Sequence, residues 1–125
     1  MGIELNHTIV HSADREAAAH FLAETLDLPA PRPSGPFLVV QTANGVSLDF
    51  MTSPQPISEQ HYAFLVSGDE FDAVLSRLQQ RDAPYWADPL RRRPGQINRS
   101  GGGRGVYFLD PSGHALEILT QADAA

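Results

Sequence analysis

The chain contains no cysteine, which excludes disulfides, thiolate metal sites and a cysteine nucleophile. No apolar run approaches the roughly 20 residues needed to cross a bilayer. No basic stretch followed by an apolar one opens the chain as a secretory signal would. A cytoplasmic protein without a membrane partner is the corresponding expectation. Positive charge is also scarce. Nine Lys and Arg against fifteen Asp and Glu leave a net charge of −6, which argues against nucleic acid as a partner. Only Arg91-Arg92-Arg93 runs against that balance. The 125 residues suit one domain, or two half-size modules sharing one core.

What is present is a motif that occurs twice. ELNHTIV, with His7, and EQHYAFLV, with His61, are each followed by an acidic start and an apolar helical run. Each half then closes on a strand with a carboxylate at its middle, Asp49 in GVSLDF and Glu117 in HALEIL. Self-similarity of this kind fixes an architecture before any single residue is interpreted.

Alternation over residues 5–10 predicts a strand. Ser12 or Asp14 can cap the following helix, with Ala18, Phe21, Leu22 and Leu26 on one face. Prolines 29, 31, 33 and 36 predict a stiff, extended connection. Residues 37–41 and 46–51 read as strands joined through Asn44-Gly45, a pair that favours a hairpin. The proline-bearing segment 52–58 is a linker between a first module of about 1–53 and a second of about 59–122.

In the second module, residues 61–66 form a strand, and Asp69 is placed to cap a helix burying Phe71, Val74, Leu75 and Leu78. Tyr85-Trp86 makes a short strand and a long loop covers 88–103. Two final strands meet at Asp110-Pro111-Ser112-Gly113, whose proline and glycine fit a type I turn. His7 and Asp49 are 42 positions apart, His61 and Glu117 56. The difference is close to the size of the loop, as expected for a duplicated unit with one insertion.

A histidine facing a carboxylate on the closing strand is a half-site for a divalent metal. Imidazole nitrogen and carboxylate oxygen suit iron(II), nickel, zinc or manganese. If the half-sites converge, His7, His61 and Glu117 form a facial set with open positions for oxygen or substrate, and Asp49 is a fourth ligand or a nearby base. A lone strand histidine is more often a hydrogen-bonded structural residue; matched placement in both halves favours ligation. Glu117 lies between Leu116 and Ile118, where an ionised carboxylate is costly unless paired or metal-bound. His11, His20 and His114 carry no such pattern, and His114 should face away from Glu117.

LNHTIV, QHYAFLV and GVYFLDPSGHALEIL resemble the vicinal oxygen chelate superfamily, which includes glyoxalase I, fosfomycin- and bleomycin-resistance proteins and extradiol dioxygenases. The resemblance implies an α+β fold of paired βαβββ modules forming a cupped mixed sheet, with a metal at its centre. For a short chain it also implies a homodimer whose sites draw strands from both subunits.

HYAFLVSGDEFDAVLSRL, PYWADPLRRRPGQIN and GGGRGVYFLDPSGHALEI are similar to a narrower group, typified by the dioxygenase ChaP of aromatic polyketide biosynthesis. That similarity implies Fe(II), O2, oxidative cleavage of a polycyclic aromatic substrate, and positions for Asp49 and Tyr107 beside the reacting molecule. Asp49 stands where glyoxalase I has a glutamate, which tilts the expectation from isomerase toward oxygen chemistry.

Asp49 is expected to accept a phenolic proton and Tyr107 to donate to a developing oxyanion. Substrate contacts are expected from Trp86, Arg93, Asn98 and Arg104, with the loop 88–103 as a lid or a solvated connection. The competing expectations are a glyoxalase-type isomerase or thiol transferase, and a non-catalytic drug-binding protein. Retention of the histidines and Glu117 argues against the last.

Overall fold

The computed structural model describes residues 2–122. Its contacts divide between Ile57 and Ser58 into two compact units. The division falls within the proline-bearing segment 52–58, where Pro54 and Pro56 interrupt both ladder and helix hydrogen bonding.

The first unit runs β1 (His7–Ser12), α1 (Arg15–Leu26), β2 (Arg32–Ser34), β3 (Phe37–Gln41) and β4 (Ser47–Thr52). Its four-stranded sheet has the order β1-β4-β3-β2. β1 is parallel to β4, and the other neighbours are antiparallel. The alternation of side chains across a strand sends Val10, Leu38, Val40, Leu48 and Phe50 to one buried face. Helix α1 packs on β3 and β4. It buries Ala18, Ala19, Leu22, Ala23 and Thr25, mostly small residues that let helix and sheet approach closely.

Two local expectations are corrected. β1 begins at His7 and continues through Ser12, so Ser12 is a buried strand residue and Asp14 alone caps α1, accepting from the Glu16 and Ala17 N–H groups. Phe21 and Leu26 are only half-buried. The proline stretch contains a strand, β2, with Pro33 opposite Leu38. A proline lacks a ladder donor and is tolerated there because β2 is an edge strand.

The second unit repeats the order: β5 (His61–Leu65), α2 (Gly68–Gln80), β6 (Tyr85–Trp86), a short 3₁₀ turn (Ser100–Gly102), β7 (Gly105–Leu109) and β8 (Ala115–Leu119). Its sheet order, β5-β8-β7-β6, is that of the first unit. β5 is parallel to β8, and the other pairs are antiparallel. Each unit is therefore a βαβββ module with a mixed four-stranded sheet. Phe71, Val74 and Leu78 of α2 are buried, as are Val106, Phe108, Leu116 and Ile118 of one sheet face. The other face carries His61, Ala63, Leu65, Tyr107 and Glu117. The β7–β8 turn is closed by Asp110, whose carboxylate accepts from the Ser112 and His114 N–H groups. His114 is buried and edge-on to Tyr62, so it belongs to the side away from Glu117. No helix among the described residues is long and apolar enough to cross a membrane.

Helix α2 starts two residues earlier than expected. Ser67, rather than Asp69, is the N-cap, and it forms a capping box with Glu70. The Ser67 N–H and hydroxyl bonds hold the Glu70 carboxyl below its usual range. Replacing Ser67 by alanine is expected to cost about 1 kcal/mol in denaturant unfolding. Asp69→Ala should cost measurably less; the reverse ranking would return the cap to Asp69.

Candidate functional site: a carboxylate at the centre of each duplicated sheet

The register of the second sheet lines up one row of side chains across the strands. Ala63 lies opposite Glu117, Glu117 opposite Tyr107, and Tyr107 opposite Trp86. An isolated bridge continues the row from Trp86 to Pro94. Directly opposed strand residues point to the same face, so all five sit on the face away from the buried core. His61 lies two residues before Ala63 and therefore shares that face.

Glu117 is 8% exposed, and an ionised carboxylate so placed needs a partner. His61 supplies it, with Nε2 3.0 Å from Glu117 Oε1. The His61 ring also lies 5.7 Å from the Tyr107 ring, centroid to centroid. His61 itself is half-exposed, so the pair is open to an approaching ligand on the imidazole side.

The first unit holds the same arrangement by topology. Asp49 lies between Ile9 and Val39, as Glu117 lies between Ala63 and Tyr107. His7 begins β1 as His61 begins β5. The chemistry differs, because aspartate is one methylene shorter. Asp49 Oδ1 is buried without a hydrogen-bond partner, and His7 turns instead to Asn6, its Nδ1 2.7 Å from Asn6 Oδ1. An amide oxygen only accepts, so Nδ1 carries the proton and Nε2 is left as a lone-pair donor.

The long loop is a built hairpin. Ala87 N–H donates to the Arg93 carbonyl at 3.1 Å and Gly95 N–H to the Tyr85 carbonyl at 2.8 Å. At its tip the Asp88 carboxylate accepts from the Arg92 and Arg93 N–H groups at 2.8–3.0 Å. Desolvation pushes the Asp88 carboxyl up, but those N–H groups and the neighbouring Arg93 charge outweigh it and hold it below the ordinary range. Arg91 pairs with Glu59 at 3.6 Å.

Comparison with known proteins places this geometry. No protein-family model matches the chain. The solved structure of oxidase ChaP-H1 is 59% identical, with a TM-score of 0.95 over 97% of this chain and 98% of that one. Oxidase ChaP-H2 is 52% identical, with a TM-score of 0.97 over 100% and 98%. Glutathione transferase FosA of Serratia marcescens is 37% identical over 72 residues, which is 58% of this chain and 44% of FosA. This chain therefore matches less than half the length of that transferase. The chain belongs to the vicinal oxygen chelate superfamily.

Vicinal oxygen chelate proteins are typically metal-dependent, and the donors in this chain fit a metal in kind. His61 and Glu117 already sit together as nitrogen and oxygen donors, and His7 has its free Nε2 fixed by the Asn6 bond, the usual outer contact of a metal-binding histidine. Among the described residues no group of three or more His, Asp or Glu side chains is gathered to hold an ion. Each half offers a pair.

Two residues expected to contact substrate have local partners in the fold. Arg104 precedes Gly105 on β7 and points to the helix side. Its guanidinium lies 2.6 Å from Asp72, donates to the Gly68 carbonyl at 3.0 Å and stacks 4.5 Å over the Phe71 ring. Asn98 ties the loop to β7. Its side chain donates to the Ala87 carbonyl at 2.8 Å, and its backbone pairs with Gly105 in both directions. Any side chain at Gly105 would meet that carboxamide at 2.9 Å. Both residues read as ligand contacts in sequence because polar residues in a glycine-rich loop carry no sign of which local partner they have. Arg93 is exposed at the hairpin tip, while Trp86 stands in the Glu117 row. Ala63 and Pro94 also belong to that row and were not expected there. Ala63 is readable two residues after His61, but Pro94 joins only through a non-local bridge.

The depressed Asp88 carboxyl gives the hairpin tip a definite pH window. Its bracing is present above the ordinary carboxylate value of about 4 and is lost as pH falls through the lowered value in the folded chain. At neutral pH, Asp88→Ala should therefore speed trypsin cleavage after Arg91 and Arg92 several-fold, roughly as expected for losing two charge-assisted hydrogen bonds. An unchanged rate would show that the tip is held by other contacts.

Proposed function

We propose that this chain is an Fe(II)-dependent oxidase that uses O2 to cleave a ring of a flat phenolic or quinone-like aromatic substrate. The reading is supported by the similarity to two ChaP oxidases over nearly the full length of each. The observation that carries it is the His61–Glu117 pair beside Tyr107 on an uncovered sheet face.

In this reading His7, His61 and Glu117 would hold the metal as nitrogen and oxygen donors. The metal supplies Lewis acidity and a one-electron couple. The chain's own residues do the rest. Asp49, with an unpartnered buried oxygen, accepts a phenolic proton from the substrate. Tyr107 donates a hydrogen bond to the oxyanion that forms as that proton leaves. In ring cleavage one carbon–carbon bond breaks and both atoms of O2 enter the product, so no external reductant is consumed.

The protein works as a homodimer in this proposal, with each site drawing on both subunits. The exposed Ile9 and Leu65, 45% and 65% accessible, are the kind of apolar surface a partner covers. A second reading, a thiol transferase, is favoured by the FosA similarity. It differs in needing a thiol co-substrate and no O2.

Elemental analysis of anaerobically purified protein, followed by oxygen-electrode assays with a hydroxylated anthraquinone, tests the proposal. About one iron per chain, lost in His61→Ala together with O2 uptake, is the expected result. Turnover with glutathione and a manganese- or zinc-loaded protein, without O2 uptake, would establish the transferase instead.

A further inference from the structure

We infer that the cross-strand row from Glu117 through Tyr107 and Trp86 to Pro94 is a binding shelf for an extended planar aromatic molecule, and that Trp86 sets how many fused rings it accepts. The inference rests on the proposed function, since Glu117 marks the reacting end. It adds a specificity determinant remote from the reacting atoms.

The row is fixed by register, not by side-chain conformation. Glu117 opposes Tyr107, Tyr107 opposes Trp86, and Trp86 opposes Pro94. With neighbouring strands about 4.8 Å apart, three steps span roughly 14 Å. A single ring placed at Glu117 overlies Tyr107 and ends before Trp86, whereas three linearly fused rings reach the indole. Tyr107 and Trp86 are both half-buried. Flat aromatic surfaces in line favour a flat aromatic ligand. Ala63, on the other side of Glu117, is exposed and small, so it does not compete for the space above the carboxylate.

The distal wall is rigid. Trp86 sits at the base of the hairpin, locked by the Ala87–Arg93 and Gly95–Tyr85 backbone bonds and by the Asn98 side chain on the Ala87 carbonyl. The Asp88 carboxylate closes the tip above it. A hairpin held at base and tip keeps its aromatic in place before a ligand arrives, which lowers the ordering cost of binding. A cleft of about 370 Å³ lies at this edge of the sheet, lined by Gln79, Asp82 and Tyr85 towards the helix and by Trp86, Pro94 and Gly95.

The first unit shows what the shelf is not. Its equivalent row runs Ile9, Asp49, Val39 and Arg32, with no ring in it. The duplicated carboxylates therefore stand in rows of opposite character, and only the Glu117 row is paved with aromatics.

The test uses two catechols of different length, catechol itself and the three-ring alizarin, titrated anaerobically into Fe(II)-loaded protein freed of excess metal. Binding is followed by isothermal titration calorimetry. Wild type should prefer alizarin, and Trp86→Ala should weaken alizarin roughly tenfold, the size of one stacking contact. Catechol binding and iron content should stay within about twofold. Trp86→Phe, which keeps a ring in the same fold, should restore most of the alizarin affinity. Equal losses for both catechols, or an undiminished alizarin affinity, would overturn the shelf, as would a wild type that binds neither. Trp86-dependent alizarin binding without any O2 uptake would leave the shelf standing and overturn the oxidase reading.

Discussion

A carboxylate in the middle of a four-stranded sheet cannot be left alone. Glu117 sits on β8 between a parallel and an antiparallel neighbour, 8% exposed, with Leu116 and Ile118 turned into the core on either side. Burying an unpaired ionised carboxylate costs several kcal/mol even after relaxation. The sheet answers with His61, brought within 3.0 Å by the β5–β8 register. The rest of the site depends on this constraint. The parallel pairing that supplies the histidine requires the α2 crossover, and the antiparallel pairing on the other side supplies Tyr107 and then Trp86.

The same fold element is used twice, and the proposed function gives its two copies different tasks. Both halves carry a histidine at the head of the first strand and a carboxylate on the closing strand, in the same strand order. One methylene distinguishes them. The longer Glu117 reaches its histidine, while the shorter Asp49 leaves an oxygen unpaired and its histidine bonded to Asn6. A paired carboxylate beside a nitrogen donor suits metal ligation. An unpaired buried one suits a group that waits for a proton. That difference underlies the assignment of Glu117 as ligand and Asp49 as base.

Much of this was legible in the sequence because it is periodic. The repeated His-strand and carboxylate-strand segments, the strand alternation and the Asp110–Gly113 turn are local patterns, and the structure has the elements they predict. The paired βαβββ modules follow from them and from the family resemblance. What was not legible depends on partners distant in sequence. β2 hid among prolines because its tolerance for Pro33 comes from being at an edge, a fact about the sheet. The local partners of Arg104 and Asn98, namely Asp72, Phe71 and Ala87, are likewise set by the fold. The loop 88–103 read as a lid or a solvated connection, and the Asp88 bonds and the Trp86–Pro94 bridge fold its first part back as a hairpin. The Glu117 row is visible only once four strands are in register.

The division between the duplicated carboxylates is the claim on which the account turns, and Fe(II) binding by calorimetry under anaerobic conditions tests it most directly. Glu117→Gln should lose at least tenfold in affinity, as expected when a direct ligand is removed. Asp49→Asn should bind iron as the unaltered protein does while losing turnover. Equal losses of iron in the two variants would contradict the account, and would make the site a four-ligand centre in which both halves do the same work.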